Sequence, residues 1–311
     1  MPFFTVVTIT YNSSLWVREA IESVLASSFV DFEYLIADDC STDESWEIIS
    51  TYTDPRIVAW KNEVNLGEYP NRNSVLERAS GKYILFVDGD DAMYHHTLRN
   101  VWEYLRYYPT AVSVWGAYVK ELSFVSLPQL LPRPEIINWT YLANVTPALN
   151  GLAETVFQTE ALKKIGGFPS RFISGDVYAK KRIALEGDIL LIPMGLVYWR
   201  KSATQASSKL RNSLAGFENN VLIDNAIIEM LKKKSTTVDI VQIEKNVRIR
   251  NIKLLVKHTI LQFRIGSFFR LFRELEFQLV DLLYLFQQGD YSYKQTIQDR
   301  FPLSTFHLKN Q

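Results

Sequence analysis

Apolar runs of strand length alternate along the first half of the chain with segments whose apolar residues recur at helical spacing. Phe3 to Thr10 is β-branched and aromatic and predicts a first strand. Tyr11 to Ser14 is a polar turn with helix-capping residues. After it, Leu15, Val17, Ala20, Ile21, Val24 and Leu25 fall on one helix face. Phe32 to Ala37 predicts a second strand, and Ser41 to Glu44 caps a helix carrying Trp46, Ile48 and Ile49. Ile57 to Trp60 is a short third strand. Asn65 to Pro70 reads as a loop by composition, Asn73 to Ala79 as a helix stopped by Gly81, and Tyr83 to Val87 as a buried strand. Strands alternating with helices imply βαβ units: a mainly parallel central sheet with helices on its faces.

Beyond Leu105 the pattern is looser. Ala111 to Val119 reads as a strand, Leu127 to Pro134 as a proline-rich, loop-like segment, and Glu160 to Ile165 as a helix. Val177 to Ala184 reads as a further helix and Ile189 to Pro193 as an edge-like strand. Past about Ala215 the composition changes. Val221 to Leu231 predicts a helix ending in Lys232, Lys233 and Lys234, where cations favour the helix C-terminus.

Polar residues gather where the strands stop. Tyr11, Asp38, Asp39, Asp88 and Asp90 all follow a predicted strand, and ligands of parallel sheets bind beyond those carboxyl ends. Asp88, Asp90 and Asp91 crowd around Gly89, a repulsion that a cation or a hydrogen-bonding ligand relieves. Oxygen-only ligands suit Mg2+ or Mn2+. The plain alternatives are a polar turn after a strand and, for Asp38 and Asp39, capping of the next helix. Neither G-x-G-x-x-G nor G-x-x-x-x-G-K-[ST] follows the first strand, which disfavours a dinucleotide dehydrogenase or a P-loop enzyme.

The 311 residues suggest about two domains, and 34 basic against 34 acidic residues name no partner. A single cysteine, Cys40, excludes an intramolecular disulfide and a multi-cysteine zinc site. The N-terminus lacks a signal-peptide pattern, and no apolar run is long enough to span a membrane. A cytoplasmic protein is therefore expected, and the N-x-Ser/Thr sequons at Asn12, Asn138 and Asn144 read as chance. Between Glu244 and Arg273 lie eight basic residues and one acid, interleaved with bulky apolar side chains. That pattern suits either an interfacial helix on an anionic membrane, through residues 244–286, or helices packed on the rest of the chain. Nucleic-acid binding is disfavoured, because the apolar content is high and no known motif is present.

Taken in order, Val6 to Asn12, Asp38 to Asp43, Asn65-Leu66-Gly67, Arg72-Asn73 and Gly81 to Asp91 resemble the family 2 glycosyltransferases of the GT-A fold. The resemblance is firm over roughly the first ninety residues and looser to about Ser207. It implies a GT-A, Rossmann-like α/β catalytic domain over residues 1–215. Its nucleotide-sugar half would be about 1–120 and its acceptor half about 121–215; residues 216–311, past the resemblance, read as an α-helical C-terminal region. It implies donor contacts from Thr10, Tyr11 (stacking on the base), Asp39 (bonding the base), Arg72 (lining the pocket), Asp88 and Asp90. Asp90 would hold Mn2+ or Mg2+ on the diphosphate, with Asp88 on ribose or metal-bound water and Asp91 supporting the loop. Gly166-Gly167-Phe168 resembles the family's G-G-F turn, and Asp176 its catalytic base, with Gly175 where many members carry glutamate. An N-cap aspartate is the plain alternative for Asp176.

The implied activity is inverting transfer of a sugar from a nucleotide diphosphate, a UDP-sugar, to a saccharide or lipid-linked glycan, as in bacterial cell-surface polysaccharide synthesis. Arg200-Lys201-Ser202 stands where the family has arginine, a residue and histidine, so a metal ligand is replaced by Ser202. That departure leaves a non-catalytic nucleotide-sugar-binding or assembly subunit as the alternative. A sugar-nucleotide pyrophosphorylase is less favoured, because Tyr11 to Ser14 is unlike its glycine-rich loop.

Overall fold

The computed structural model describes residues 1–117, 126–145, 151–200, 213–234 and 238–300. The N-terminal part runs β1 (Phe4–Thr10), α1 (Val17–Leu25), β2 (Phe32–Asp38), α2 (Ser45–Ser50), β3 (Ile57–Lys61), α3 (Glu68–Arg78) and β4 (Tyr83–Phe86). It continues through β5 (Ala92–Met93), α4 (Thr97–Tyr107), β6 (Ala111–Ala117), β7 (Gln129–Leu131) and α5 (Glu135–Leu142). A 3-10 turn at Leu152–Glu154 leads into β8 (Thr155–Gln158), α6 (Thr159–Lys164), α7 (Gly175–Ile183), β9 (Asp188–Pro193) and β10 (Val197–Tyr198). The tail is helical: α8 (Leu214–Lys233), α9 (Ile240–His258), α10 (Ile265–Glu274) and α11 (Tyr293–Arg300).

The main sheet has the order β3-β2-β1-β4-β8-β6-β9-β7. β8 pairs antiparallel with β4 and β6, and β7 antiparallel with β9; the remaining strands run in one direction. The order turns back on itself between β1 and β4, whose carboxyl ends therefore flank a crevice. Successive β1 residues go to opposite faces. Val6 joins a core with α1 and α4, and Val7 one with α3 and α7. Burial on both faces explains why these strands read as unbroken apolar runs.

Two expectations change. Residues 65–70 are not all loop: α3 begins at Glu68, after Gly67 with φ 85°. Pro70 sits in the first turn, where its missing N–H costs no helical bond. The strand at residues 189–193 is not at an edge. β9 lies between β6 and β7, and Gln129–Leu131 of the supposed loop forms the edge strand, its prolines flanking the ladder rather than interrupting it.

The tail packs on the sheet domain. Ile223, Ile227 and Leu231 of α8 and Ile243 and Val247 of α9 share the core with Phe86 and Phe157. Buried Asp224 of α8 accepts from Lys181 (2.6 Å) and Tyr141 (2.8 Å) and is ion-paired with Arg250. The two cations hold its carboxyl below the usual range against the effect of burial. A separate small cluster unites Phe217, Val221, Ile252, Leu255, Leu271 and Leu275.

Candidate active site

The first strand delivers Thr10 and Tyr11 to the crevice. Tyr11 is 50% exposed, its ring open to a stacking ligand. Thr10 is buried, and its hydroxyl has no hydrogen-bond partner among the described residues. Gly89 lies against it: a Cβ there would come within 2.6 Å of Thr10 Oγ1, so the turn between Asp88 and Asp90 requires glycine.

The two acids at the end of β2 do different things. Asp38 is fully buried and accepts from the Ser41 N–H and hydroxyl, which makes it the turn-closing acid. Asp39 anchors the next loop, accepting from Asn62 Nδ2 (2.8 Å), Leu66 N (2.9 Å) and Gly67 N (2.9 Å). A carboxylate offers about four acceptor positions, so one remains for a ligand donor.

Asp88 and Asp90 are both half-buried at the end of β4. Asp88 is held by Arg72, which donates from Nη1 and Nη2 at 2.8 Å each. Arg72 is only 3% exposed and also reaches Glu68 at 3.3 Å. The acids around it hold its guanidinium charged, well above the ordinary value, despite burial. Arg72 thus braces an acid of the loop as well as standing at the pocket wall. Asp91 accepts from the Arg200 N–H (2.9 Å). Burial and the neighbouring Asp88 and Asp90 push its carboxyl up to about 7. Arg200 also donates to the Asp90 carbonyl (2.9 Å) and pairs with Glu19 (2.7 Å), tying β10 and α1 to the acidic loop.

That accumulated negative charge is what a divalent cation neutralises. Among the described residues no group of three or more His, Cys, Asp or Glu side chains is arranged as a metal cage. Mg2+ and Mn2+ sites of the nucleotide type use one or two carboxylates and complete the shell with phosphate oxygens and water, and Asp90 with Asp88 fits that donor set. Ser202, Ser207, Lys201, Lys209 and Arg211 lie outside the described residues.

Asp176 is half-buried and sits inside the first turn of α7; the N-cap position is Ser174. It is therefore not an N-cap. The Tyr69 hydroxyl lies 3.2 Å from Asp176 Oδ1 and 3.0 Å from the Ile173 carbonyl. Burial, with Asp176 and Glu68 adding, drives the Tyr69 phenol well above its ordinary value, so it remains a donor. The missing family glutamate has a steric reason. A Cβ on Gly175 would meet the Pro169 carbonyl at 2.8 Å and the Tyr69 ring at 3.0 Å. Asn73 clamps the glycine turn ahead of this helix, donating to the Phe168 carbonyl (2.8 Å) and accepting from its N–H (2.9 Å).

One turn of α3 therefore holds both halves of the site, Tyr69 on Asp176 and Arg72 on Asp88. Sequence reasoning assigned that turn to a loop and so missed Tyr69 and Glu68. It also missed Lys180, one helical turn beyond Asp176 and 0% exposed, whose ammonium lies 5.0 Å from the centre of the Trp115 ring. Burial lowers the Lys180 amine to about 7 although Asp176 and Glu154 favour its charged form.

Comparison with known proteins gives the arrangement relatives. Residues 5–154 match the sequence model described as glycosyl transferase family 2; Asp176 and Arg200 lie beyond the match. TuaG of Bacillus subtilis, a glycosyltransferase assigned to teichuronic acid biosynthesis, is 32% identical over 140 residues, 44% of this chain and 56% of TuaG. The chain spans about half or less of the length of the curated relatives it matches. Staphylococcus aureus TarS 1–349 in complex with UDP-GlcNAc superposes with a TM-score of 0.59 at 17% identity, covering 94% of this chain and 92% of that one. A mannosyltransferase from Pyrobaculum calidifontis in complex with GDP-Man and Mn2+ superposes with a TM-score of 0.58 at 15% identity, covering 96% and 85%. At such identities the likeness is one of fold.

Proposed function

Because residues 5–154 match the model of glycosyl transferase family 2, we propose that the chain transfers a sugar, with inversion, from a UDP-sugar to a hydroxyl of a saccharide or lipid-linked glycan. The setting is cell-surface polysaccharide synthesis, with the active site on the cytoplasmic side. Residues 1–215 form the catalytic domain, the donor in the half up to about residue 120 and the acceptor in the half after it, and 216–311 are the helical region. Among the described residues no helix is long and apolar enough to cross a membrane.

Tyr11 stacks on the base, Asp39 bonds it through its remaining acceptor position, and Arg72 lines the pocket. Thr10 Oγ1, buried with no partner among the described residues, bonds the donor near Gly89. Asp90, with Asp88 beside it, would hold the Mn2+ or Mg2+ that accompanies the donor diphosphate. When bound, the cation supplies Lewis-acid neutralisation of charge growing on the leaving nucleotide. Asp176 takes the acceptor hydroxyl proton as that oxygen bonds the anomeric carbon from the face opposite the leaving diphosphate. The bond to the diphosphate breaks, and the nucleoside diphosphate departs with its electron pair. Tyr69 fixes the orientation of Asp176.

The observation that carries this reading is the shared turn of α3, which joins the candidate base to the acidic loop through Tyr69 and Arg72. The test is a pair of variants. Asp176→Asn should keep donor binding and lower transfer by roughly a hundred- to ten-thousand-fold, whereas Asp90→Asn should lose metal-dependent donor binding. Normal turnover by Asp176→Asn would place the base elsewhere.

A further inference from the structure

The basic tail resolves into two parts with opposite roles. α9 is structural: Ile243, Val247, Ile252 and Leu255 are buried, Arg250 is spent on Asp224, and Arg248 pairs with Asp281 at 2.7 Å. Most side chains of residues 244–256, part of the stretch whose composition suited a membrane, therefore pack on the protein. The following segment does the reverse. Around the 3-10 turn Ile260–Gln262 and along α10, Leu261, Phe263, Ile265 and Phe269 are exposed, Phe263 to 93%. Leu271 and Leu275 anchor the other side of α10 to the small tail cluster. In the 3-10 segment Leu279–Phe286, Leu279, Val280, Leu283 and Phe286 are exposed, Phe286 to 90%.

Such a collection of large apolar side chains in water is unusual unless something covers it. The backbone at its most exposed point is also strained: Phe263 has φ 58°, a left-handed conformation that bulky residues rarely adopt. Charge names the occupant. Lys257, Arg264, Arg270 and Arg273 are exposed among these side chains, against exposed Glu274, which is paired with Arg270, and Glu276. Ile265, Phe269 and Arg273 follow one another at four-residue spacing, so an apolar row on α10 ends in a cation.

We propose that residues 257–286 are a membrane-docking face, which lays Phe263, Phe269 and their apolar neighbours among the headgroups of an anionic phospholipid bilayer with the arginines on phosphate. The inference stands on the tail alone and does not depend on the sugar-transfer reading. It is tested by co-sedimentation of the full chain with vesicles of phosphatidylcholine alone or mixed with phosphatidylglycerol, at low and high salt. Light scattering of the vesicle-free protein runs alongside.

The full chain should pellet with the anionic vesicles, lose binding in high salt, and remain in solution with the neutral ones. The double variant Phe263→Asn, Phe269→Gln should bind at least about tenfold more weakly, since both rings leave water on docking. Arg264→Gln with Arg273→Gln should weaken binding roughly fivefold for each charge removed. All four side chains are exposed, so the urea midpoint should not fall in either double variant. Equal recovery in the supernatant with both vesicle types would overturn the proposal, as would equal binding to both. A dimer that the phenylalanine variants split into monomers would also overturn it and assign the face to a second copy of the chain.

Discussion

Replacing Lys180 by methionine should stabilise the protein by an amount that depends steeply on pH. The Lys180 side chain is 0% exposed, stacked near Trp115, with Asp176 on its own helix and Glu154 on the preceding 3-10 turn as the acids that act on it. Those acids do not offset its desolvation, because the amine falls from 10.5 to about 7. Between these two values the unfolded chain binds a proton that the folded chain does not, so native stability rises with pH across that window. The penalty is complete below about pH 7 and disappears above 10.5. The displacement, in which the pull of Asp176 and Glu154 is already included, corresponds to roughly 5 kcal/mol at low pH. Urea unfolding of both proteins at several pH values measures the difference directly. The advantage of Lys180→Met should shrink by about 3 kcal/mol between pH 6 and pH 9. A constant difference across that range would refute the reasoning and show an amine with an ordinary titration.

Further outcomes follow from named contacts. Tyr69→Phe removes the hydroxyl that reaches Asp176 at 3.2 Å and should lower kcat roughly five- to tenfold with donor affinity unchanged, about the worth of one net hydrogen bond. Equal loss in kcat and donor binding would mean that the hydroxyl only supports the fold. Asp224→Ala leaves Lys181 and Arg250 without their carboxylate and should cost roughly 3–5 kcal/mol in chemical denaturation, while Asp239→Ala, which removes the exposed cap of α9, should cost about 1 kcal/mol. The Asp224 contribution should also fade in acid, because its folded pKa is depressed: it is present above the unfolded value and lost as pH falls through the folded one.

The first three strands and the strand before Asp88 were legible because burial on both faces leaves long β-branched runs, and the polar residues closing them mark where a parallel sheet binds ligands. The start of α3 was not. Gly67 and Pro70 both signal a loop, yet proline fits the first turn of a helix, and Tyr69 was hidden there. The edge strand was misassigned because a short apolar run does not reveal its neighbours; Leu190 looks the same with one partner or two. Lys180 broke no visible pattern, since a charged letter on a helix reads as solvent-facing. The tail needed tertiary contacts most of all. Arg248 and Arg250 look like membrane cations until Asp281 and Asp224 arrive from distant positions to pair with them.

The central claim is a metal-assisted nucleotide-sugar site at the ends of β1, β2 and β4. Calorimetric titration of the full chain with UDP, GDP, CMP and dTDP, each with and without Mn2+, tests it most directly. Saturable binding of UDP that requires the metal, lost in Asp90→Asn and kept in Asp176→Asn, is the predicted result. Binding of none of the four nucleotides under either condition would contradict the account.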